Sequence, residues 1–298
     1  MACADETAAV LFLEKQRWGD TCGCPECGST NVYQMKDSNT GERQANFRWR
    51  CRDCKKQYTV RTGTVFEDSR IPLRYWCFAF WRASTSKKGV SALEIHRQTG
   101  ISYKSCLFML HRIRFAMADS VSGPLNGNVE VDETYVGGKP RYKGNNKRGR
   151  GTKKQPVVAL VERGGSVKTK VVADVTGKTL KDAIRESVNT EARIITDENA
   201  AYNGISSEYA GGHESVCHSA NEYVRGDIHS NTVEGFFSLV KRGINGIYHN
   251  VSKKHLHRYL SEYEFRYNRR ELEDGERTTA VIRAAEGKRL LYKEPIRQ

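Results

Sequence analysis

Two hydrophobic rhythms divide the chain. From Gly127 to Cys217 the runs GNVEVDETYV, PVVALVERG, VKTKVVADVTG, ARIITDE and HESVCHS are short and rich in β-branched residues, which predicts strands. TLKDAIRESV has helical spacing, and the expected order is three strands, a helix, a strand, a helix, a strand and then helices. That order fits an α/β protein with a mixed sheet and helices on its faces. In HSNTVEGFFSLVKR the residues Val233, Phe237, Val240 and Ile244 share one helical stripe, while Asn231, Glu234, Ser238 and Lys241 fall on another. HNVSKKHLHRYLSEYEFRYNRR reads as a long amphipathic helix with His255, His257, Arg258, Arg266, Arg269 and Arg270 around its polar side. His255 and His257 are two apart and face different ways, so they make a poor metal pair. The tail after Arg270 is partly helical, with Val281, Ile282, Leu290 and Leu291 available to dock.

The N-terminal half is patterned differently. PLRYWCFAFWRAS is a helix with a wide apolar face, opened by a proline. Ser91 and Glu94 form a capping box, Gly100 ends a short helix, and Ser102 caps a second one carrying Leu107, Leu110, Ile113 and Met117. Two short helices around a Gly turn read as a helix-turn-helix, whose second helix presents its first residues, Ser102, Tyr103 and Lys104, to a DNA groove.

Three acids stand out against this frame. Asp132 and Asp197 are expected at or just before the ends of their strands, and Glu234 lies on the helical face turned away from the packing stripe. Carboxylates brought from separate elements suit hard divalent cations. Two Mg²⁺ or Mn²⁺ ions roughly 3.5–4 Å apart would stabilise both ends of an in-line displacement at a phosphodiester. Lys241, two turns after Glu234 on the same face, is a candidate phosphate contact with Arg242 beside it.

Charge narrows the partner. The 298 residues carry a formal net charge of +14, which points to a polyanion, and double-stranded DNA is the expected one. No apolar run approaches the roughly 20 residues of a spanning helix, and the acidic start MACADETAAVLFLEK does not read as a secretory signal. A cytoplasmic, nucleoid-associated protein with no membrane contact is expected. GGKPRYKGNNKRGRGTKK holds Lys139, Arg141, Lys143, Lys147, Arg148, Arg150, Lys153 and Lys154 without an acid, in position to clamp DNA beside Asp132.

Of nine cysteines, Cys24, Cys27, Cys51 and Cys54 form two C-x-x-C knuckles, CPEC and CRDC. This is the ligand pattern of one structural Zn²⁺, since two knuckles let four thiolates reach one ion. A redox reading would want a thioredoxin-like strand and helix, which the sequence does not show. Cys22 either competes as a ligand or lies beside the site. Between the knuckles two strands joined by an Asn39-Thr40-Gly41 turn are expected, making a zinc ribbon whose Arg48, Trp49, Arg50 and Arg52 either pack or touch DNA.

The runs VEVDETYVGGK, ITDENAAY and HSNTVEGFFSLVKRGINGIYHNVSKKHLHRYLSEYEFRYNRR resemble the catalytic core of bacterial insertion-sequence transposases of the DDE type, in the zinc-ribbon branch akin to Merlin elements. The resemblance covers nearly the whole chain and matches Asp132, Asp197, Glu234 and Lys241 to the three acids and following lysine of that family, with Asn231 and His229 as alternative neighbours at the third position, where some relatives carry Asn or His. It implies a ribonuclease-H-like catalytic domain at 126–270, after an N-terminal helix at 1–20, a zinc ribbon at 21–66 and an end-binding helical region at 70–122, with a tail at 271–298. It also implies a transposase that binds terminal inverted repeats, cuts DNA and joins the 3′ hydroxyl to a target, working as at least a homodimer. Two other classes fit part of the pattern. One is a ribonuclease-H-like nuclease of another kind, which needs no ribbon; the other is a non-catalytic DNA-binding regulator, which needs no intact acid trio.

Overall fold

The computed structural model describes residues 3–118, 121–137, 154–217 and 224–291. They fall into two compact units, one of Met1–Ser86, Val90–Met117 and Glu271–Gln298, the other of Lys87–Gly89 and Ala118–Arg270.

In the first unit, helix α1 (Glu6–Trp18) starts where the Asp5 carboxylate accepts the Ala8 N–H at 2.7 Å, and buries Ala9, Val10 and Leu13. A three-stranded antiparallel sheet follows, β1 (Val32–Gln34), β2 (Trp49–Cys51) and β3 (Gln57–Tyr58), in that spatial order. The third strand was not among the expectations: Lys55 at φ 63° turns the chain back, so that Gln57 and Tyr58 pair with Arg50 and Trp49. Glu14 of α1 accepts from the Trp49 indole at 2.7 Å and from Arg43 at 3.0 Å, which ties the helix to the ribbon. Helix α2 (Leu73–Thr85) begins one residue after Pro72, and its first N–H groups are taken by Glu6 of α1, from Leu73 at 2.8 Å and Arg74 at 3.2 Å. Helices α3 (Ala92–Thr99) and α4 (Tyr103–Met117) are joined through Gly100 at φ 74°; the Ser91 hydroxyl caps the first and that of Ser102 accepts from Ser105 N–H at the start of the second.

The second unit holds the five-stranded mixed sheet. Its strands are β4 (Asn128–Val136), β5 (Gln155–Glu162), β6 (Val167–Val171), β7 (Arg193–Thr196) and β8 (His213–Ser215), in the order β6-β5-β4-β7-β8. β5 is antiparallel to both of its neighbours, β6 and β4, and β4, β7 and β8 run parallel. Helix α5 (Gly177–Ser187) makes the crossover from β6 to β7 and buries Leu180 and Ile184 with Val129, Val131, Val158 and Leu160 on one face. Helices α6 (Asn231–Gly243) and α7 (Leu256–Asn268) cover the other face, where the stripe Val233, Phe237, Val240 and Ile244 meets Val157, Ala159 and Val161, with Phe236 added to it.

Three expectations change here. Asp132 lies in the middle of β4, which runs four residues further, to Val136. The helix expected between β7 and β8 is replaced by two 3₁₀ turns, Ala200–Tyr202 and Ser206–Glu208, because Asn203 at ψ 137° leaves the helical region and Gly204 at φ 82° follows it, which separates the two turns. On α7, Arg258 and Arg266 are buried rather than part of a polar side, and Arg266 pairs with the equally buried Glu262, which also accepts from Tyr248 Oη at 2.7 Å. The free edge of β6 is closed by Asn268 of α7, which accepts from Val167 N–H at 2.7 Å and donates to its carbonyl at 3.0 Å.

Gly243 ends α6 where nothing larger fits. A Cβ there would lie 1.6 Å from Tyr263 Oη and 2.7 Å from the Lys88 carbonyl, and backbone cannot yield as a side-chain tip can. Gly243→Ala is expected to lower stability by about 1–3 kcal/mol, the range for overpacking, read as a shift of the urea midpoint at unchanged slope.

After α7 the chain returns to the first unit. Helix α8 (Asp274–Arg283) opens with a capping box between Glu273 and Glu276 and packs on α1, α2 and α4. It buries Val281 and Ile282, Leu290 follows, and Leu291 stays exposed. Thr278 meets Ser84 at 2.9 Å and Arg112 donates to the Leu290 carbonyl at 3.1 Å.

Candidate active site

The parallel pairing of β4 with β7 covers only Asn128, Glu130 and the residue between them, opposite Arg193–Ile195. Beyond Glu130 that side of β4 opens, and Asp197 emerges there, directly after β7. Alternation along β4 places Glu130, Asp132, Thr134 and Val136 toward α6 and Val129, Val131 and Tyr135 toward α5. Asp132, Asp197 and Glu234 therefore line one open cleft of about 820 Å³, with Ser230, Phe237, Ser238, Lys241, Arg242, Asn245 and Gly246 as the rest of its wall.

Each acid is held in its own way. Asp132 accepts the N–H of Glu133 at 2.7 Å. Asp197 opens a turn in which its Oδ1 accepts Asn199 N–H at 3.1 Å. Glu234 is exposed on α6, and Ser230 Oγ donates to its Oε1 at 2.9 Å. Lys241 leans over the Phe237 ring, 5.9 Å from its centre, and Arg242 Nε donates to the Ser238 carbonyl at 3.2 Å. Asn231 is exposed in the first turn of α6 and is not part of the cleft wall.

Burial, and after it the negative charges of Glu133, Asp197 and Glu234, pushes the Asp132 carboxyl from its ordinary 3.8 up to about 7. The folded chain thus keeps a proton that the unfolded chain gives up near pH 4. Because the native state binds more protons across that window, this group's contribution is fully present below pH ~4 and lost as pH rises through ~7. With zinc bound and no other divalent cation, stability is expected to fall from pH 5 to 7.5 more steeply in the wild type than in Asp132→Asn. Equal slopes in denaturant titrations would remove the assignment.

Two further acids on β4 escape the sequence pattern: Glu130, two residues before Asp132 on the same face, and Glu133, next to it on the opposite face. Glu130 is fully buried and accepts from Arg163 Nε at 2.6 Å and from Thr232 and Val233 N–H at 2.8 and 3.0 Å. Glu133 accepts from Asn199 Nδ2 at 2.7 Å and Tyr202 Oη at 2.6 Å. An acid two residues before Asp132, on the strand face that packs, was the available signal.

The knuckle cysteines form a second centre. Cys24 and Cys54 sulfurs lie 3.6 Å apart, Cys27 and Cys51 sulfurs 3.7 Å, and all four are within 4.8 Å of one another, the one such cluster among the described residues. A tetrahedral ion with Zn–S bonds of about 2.3 Å has sulfur–sulfur edges of about 3.8 Å, so the four thiols fit zinc. Gly28 at φ 74° and Lys55 at φ 63° follow the second cysteine of each knuckle and close the two tight turns. Cys22 is outside the set: it meets Tyr58 Oη at 3.4 Å, and burial pushes its thiol up to about 11, which keeps it protonated. Trp49 packs edge-on against Trp18 at 5.9 Å and Arg52 lies 4.7 Å over Tyr33, while Arg48 donates to Gln57 at 3.3 Å.

Of the expected DNA contacts, Ser102, Tyr103 and Lys104 are exposed at the start of α4. Lys154 is half-buried just before β5, and Arg242 is on the cleft wall. Lys139, Arg141, Lys143, Lys147, Arg148, Arg150 and Lys153 lie outside the described residues.

One unit thus gathers three acids on a mixed sheet and the other carries a four-cysteine ribbon, and both halves of that combination match transposase domains. Residues 124–268 match the ISXO2-like transposase domain, and residues 4–57 match the transposase zinc-ribbon domain. The chain is 30% identical over 274 residues, 88% of its own length and 90% of the relative's, to an "Uncharacterized protein in transposable element ISH50" of Halobacterium salinarum. The chain belongs to the ISXO2-like transposases with a zinc ribbon.

Proposed function

We propose that the cleft cuts DNA at the ends of a mobile element and transfers the freed 3′ hydroxyl to a target. The observation that carries this is the convergence of Asp132, Asp197, Glu234, Lys241 and Arg242 on one open cleft. The carboxylate set and the raised Asp132 carboxyl describe a site short of positive charge, which fits divalent cations. Asp132, Asp197 and Glu234 would hold two Mg²⁺ or Mn²⁺ ions, which when bound neutralise charge on the attacking and leaving oxygens and acidify water. Lys241 and Arg242 orient the phosphate for in-line attack, so that positioning supplies much of the rate. Ser230 keeps Glu234 turned toward the cleft.

In this reading the four-cysteine ribbon holds structural Zn²⁺, and α3 and α4 form a helix-turn-helix that binds terminal repeats through Ser102, Tyr103 and Lys104. Lys147, Arg148, Arg150, Lys153 and Lys154 contact phosphates without regard to sequence, and a homodimer brings two ends together on cytoplasmic, nucleoid DNA. Among the described residues no helix is long and apolar enough to cross a membrane. The test is cleavage of a labelled duplex carrying the element's own ends, with Mg²⁺ or with EDTA. Cutting at the ends only with Mg²⁺ is expected; binding without cutting would favour the regulator, and cutting of any duplex or hybrid without end preference a different nuclease.

A further inference from the structure

Strand β4 carries Glu130, Asp132 and Glu133, and only Asp132 lines the cleft. The other two reach the elements that bear the remaining acids. Glu130 is 0% exposed, and a buried carboxylate is tolerated only with several donors. Its donors are Arg163 Nε, Thr232 Oγ1 at 2.8 Å, and the N–H groups of Thr232 and Val233. Thr232 and Val233 are the second and third residues of α6, whose N–H groups a helix's own N-cap side chain ordinarily takes. Ser230 stands at that N-cap and does not take them; they go to Glu130, and the Ser230 hydroxyl donates to Glu234 instead. Capping has passed to an acid on β4, while the residue at the N-cap position holds the third acid. The negative charge of Glu130 at a helix N-terminus adds to the fit. Glu133 does the corresponding work for the second acid: Asn199 and Tyr202 both donate to it, and Asn199 N–H also holds Asp197.

We propose that Glu130 and Glu133 are positioning residues, so that one strand sets Glu234 through the start of α6 and Asp197 through the Asn199–Tyr202 turn, on either side of its own Asp132. The part of this that concerns metal rests on the proposed function; the part that concerns geometry does not. The test uses the full-length, zinc-loaded protein free of other divalent cations, as wild type, Glu130→Ala, Glu130→Gln and Glu133→Ala. Amide hydrogen exchange is read at residues 231–235 and 197–202, and Mn²⁺ affinity is read by titration.

Glu130→Ala is expected to speed exchange at 231–235 about tenfold or more and leave 197–202 unchanged, and Glu133→Ala to do the reverse. Each should weaken Mn²⁺ binding about 10–100-fold, the usual effect of losing a residue that orients ligands. Glu130→Gln keeps one acceptor oxygen and should show a smaller change of both kinds; it carries the test if the alanine variant does not fold. Wild-type exchange in each variant's own segment, or equal loosening of both segments, would overturn the proposal. Segregated exchange in a protein that binds no Mn²⁺ would uphold the positioning and defeat the metal reading. Unchanged exchange with Mn²⁺ bound equally by all four proteins would do the opposite.

Discussion

Asp132→Asn is expected to bind end DNA within about twofold of wild type and to cut it on the order of a thousandfold more slowly, or not at all. The size follows from losing one anionic ligand from a site that supplies several kcal/mol of charge stabilisation, at 1.36 kcal/mol per decade of rate. Asparagine keeps the shape of the side chain and a carbonyl for the Glu133 N–H, so the mid-strand position in β4 is undisturbed. The substitution also removes the carboxyl that burial and three neighbouring acids push up to about 7. The variant is therefore expected to melt no lower than wild type at pH 7.5. A labelled-duplex assay with binding measured in parallel checks the claim, and cutting at near wild-type rate with Mg²⁺ would end the assignment.

The second large effect concerns Cys51→Ser. Cys51 is fully buried at the end of β2, and the backbone N–H of Cys54 is the main influence holding its thiol down to about 7. The apolar cluster around it is small: Cys24 and Tyr58 are buried, with Trp18, Val32 and Trp49 partly so. Such a cluster supplies little of the ordering free energy, whereas structural zinc supplies about 10–16 kcal/mol in small peptides. A serine hydroxyl is shorter and does not ionise, so zinc content should drop from one per chain toward zero. Amide exchange across residues 21–58 should rise, while the sheet formed by Ala118–Arg270, a separate unit, should keep its protection. Cys22→Ser is the control and should keep its zinc, because Cys22 is bonded to Tyr58 outside the cluster. Stoichiometric zinc in Cys51→Ser would refute the ligand set.

Local signals made much of this legible. The β-branched runs became strands, the Val233 stripe became the buried side of α6, and the two C-x-x-C knuckles became a four-sulfur cluster. These depend on periodicity and spacing within a few residues. Glu130 and Glu133 could not be placed, because their partners lie 102 and 66 residues further along and no local pattern encodes that meeting. Arg258 and Arg266 read as solvated because a charge on an amphipathic helix usually is, yet both are buried, and the burial of Arg266 is matched by its pairing with Glu262. The turns after Asp197 read as helical in the sequence, where nothing local shows that Asn203 leaves the helical region and Gly204 takes a positive φ.

The return of α8 to the first unit has a consequence for the order in which the protein is made. Val281, Ile282 and Leu290 complete a core begun by α1, α2 and α4, so that unit lacks part of its interior until α8 and Leu290 have followed the Ala118–Arg270 segment out of the ribosome. The intervening Ala118–Arg270 segment is contiguous and can close earlier, against the usual N-to-C order. A message broken before α8 would therefore yield a closed five-stranded sheet unit attached to a first unit that lacks part of its core.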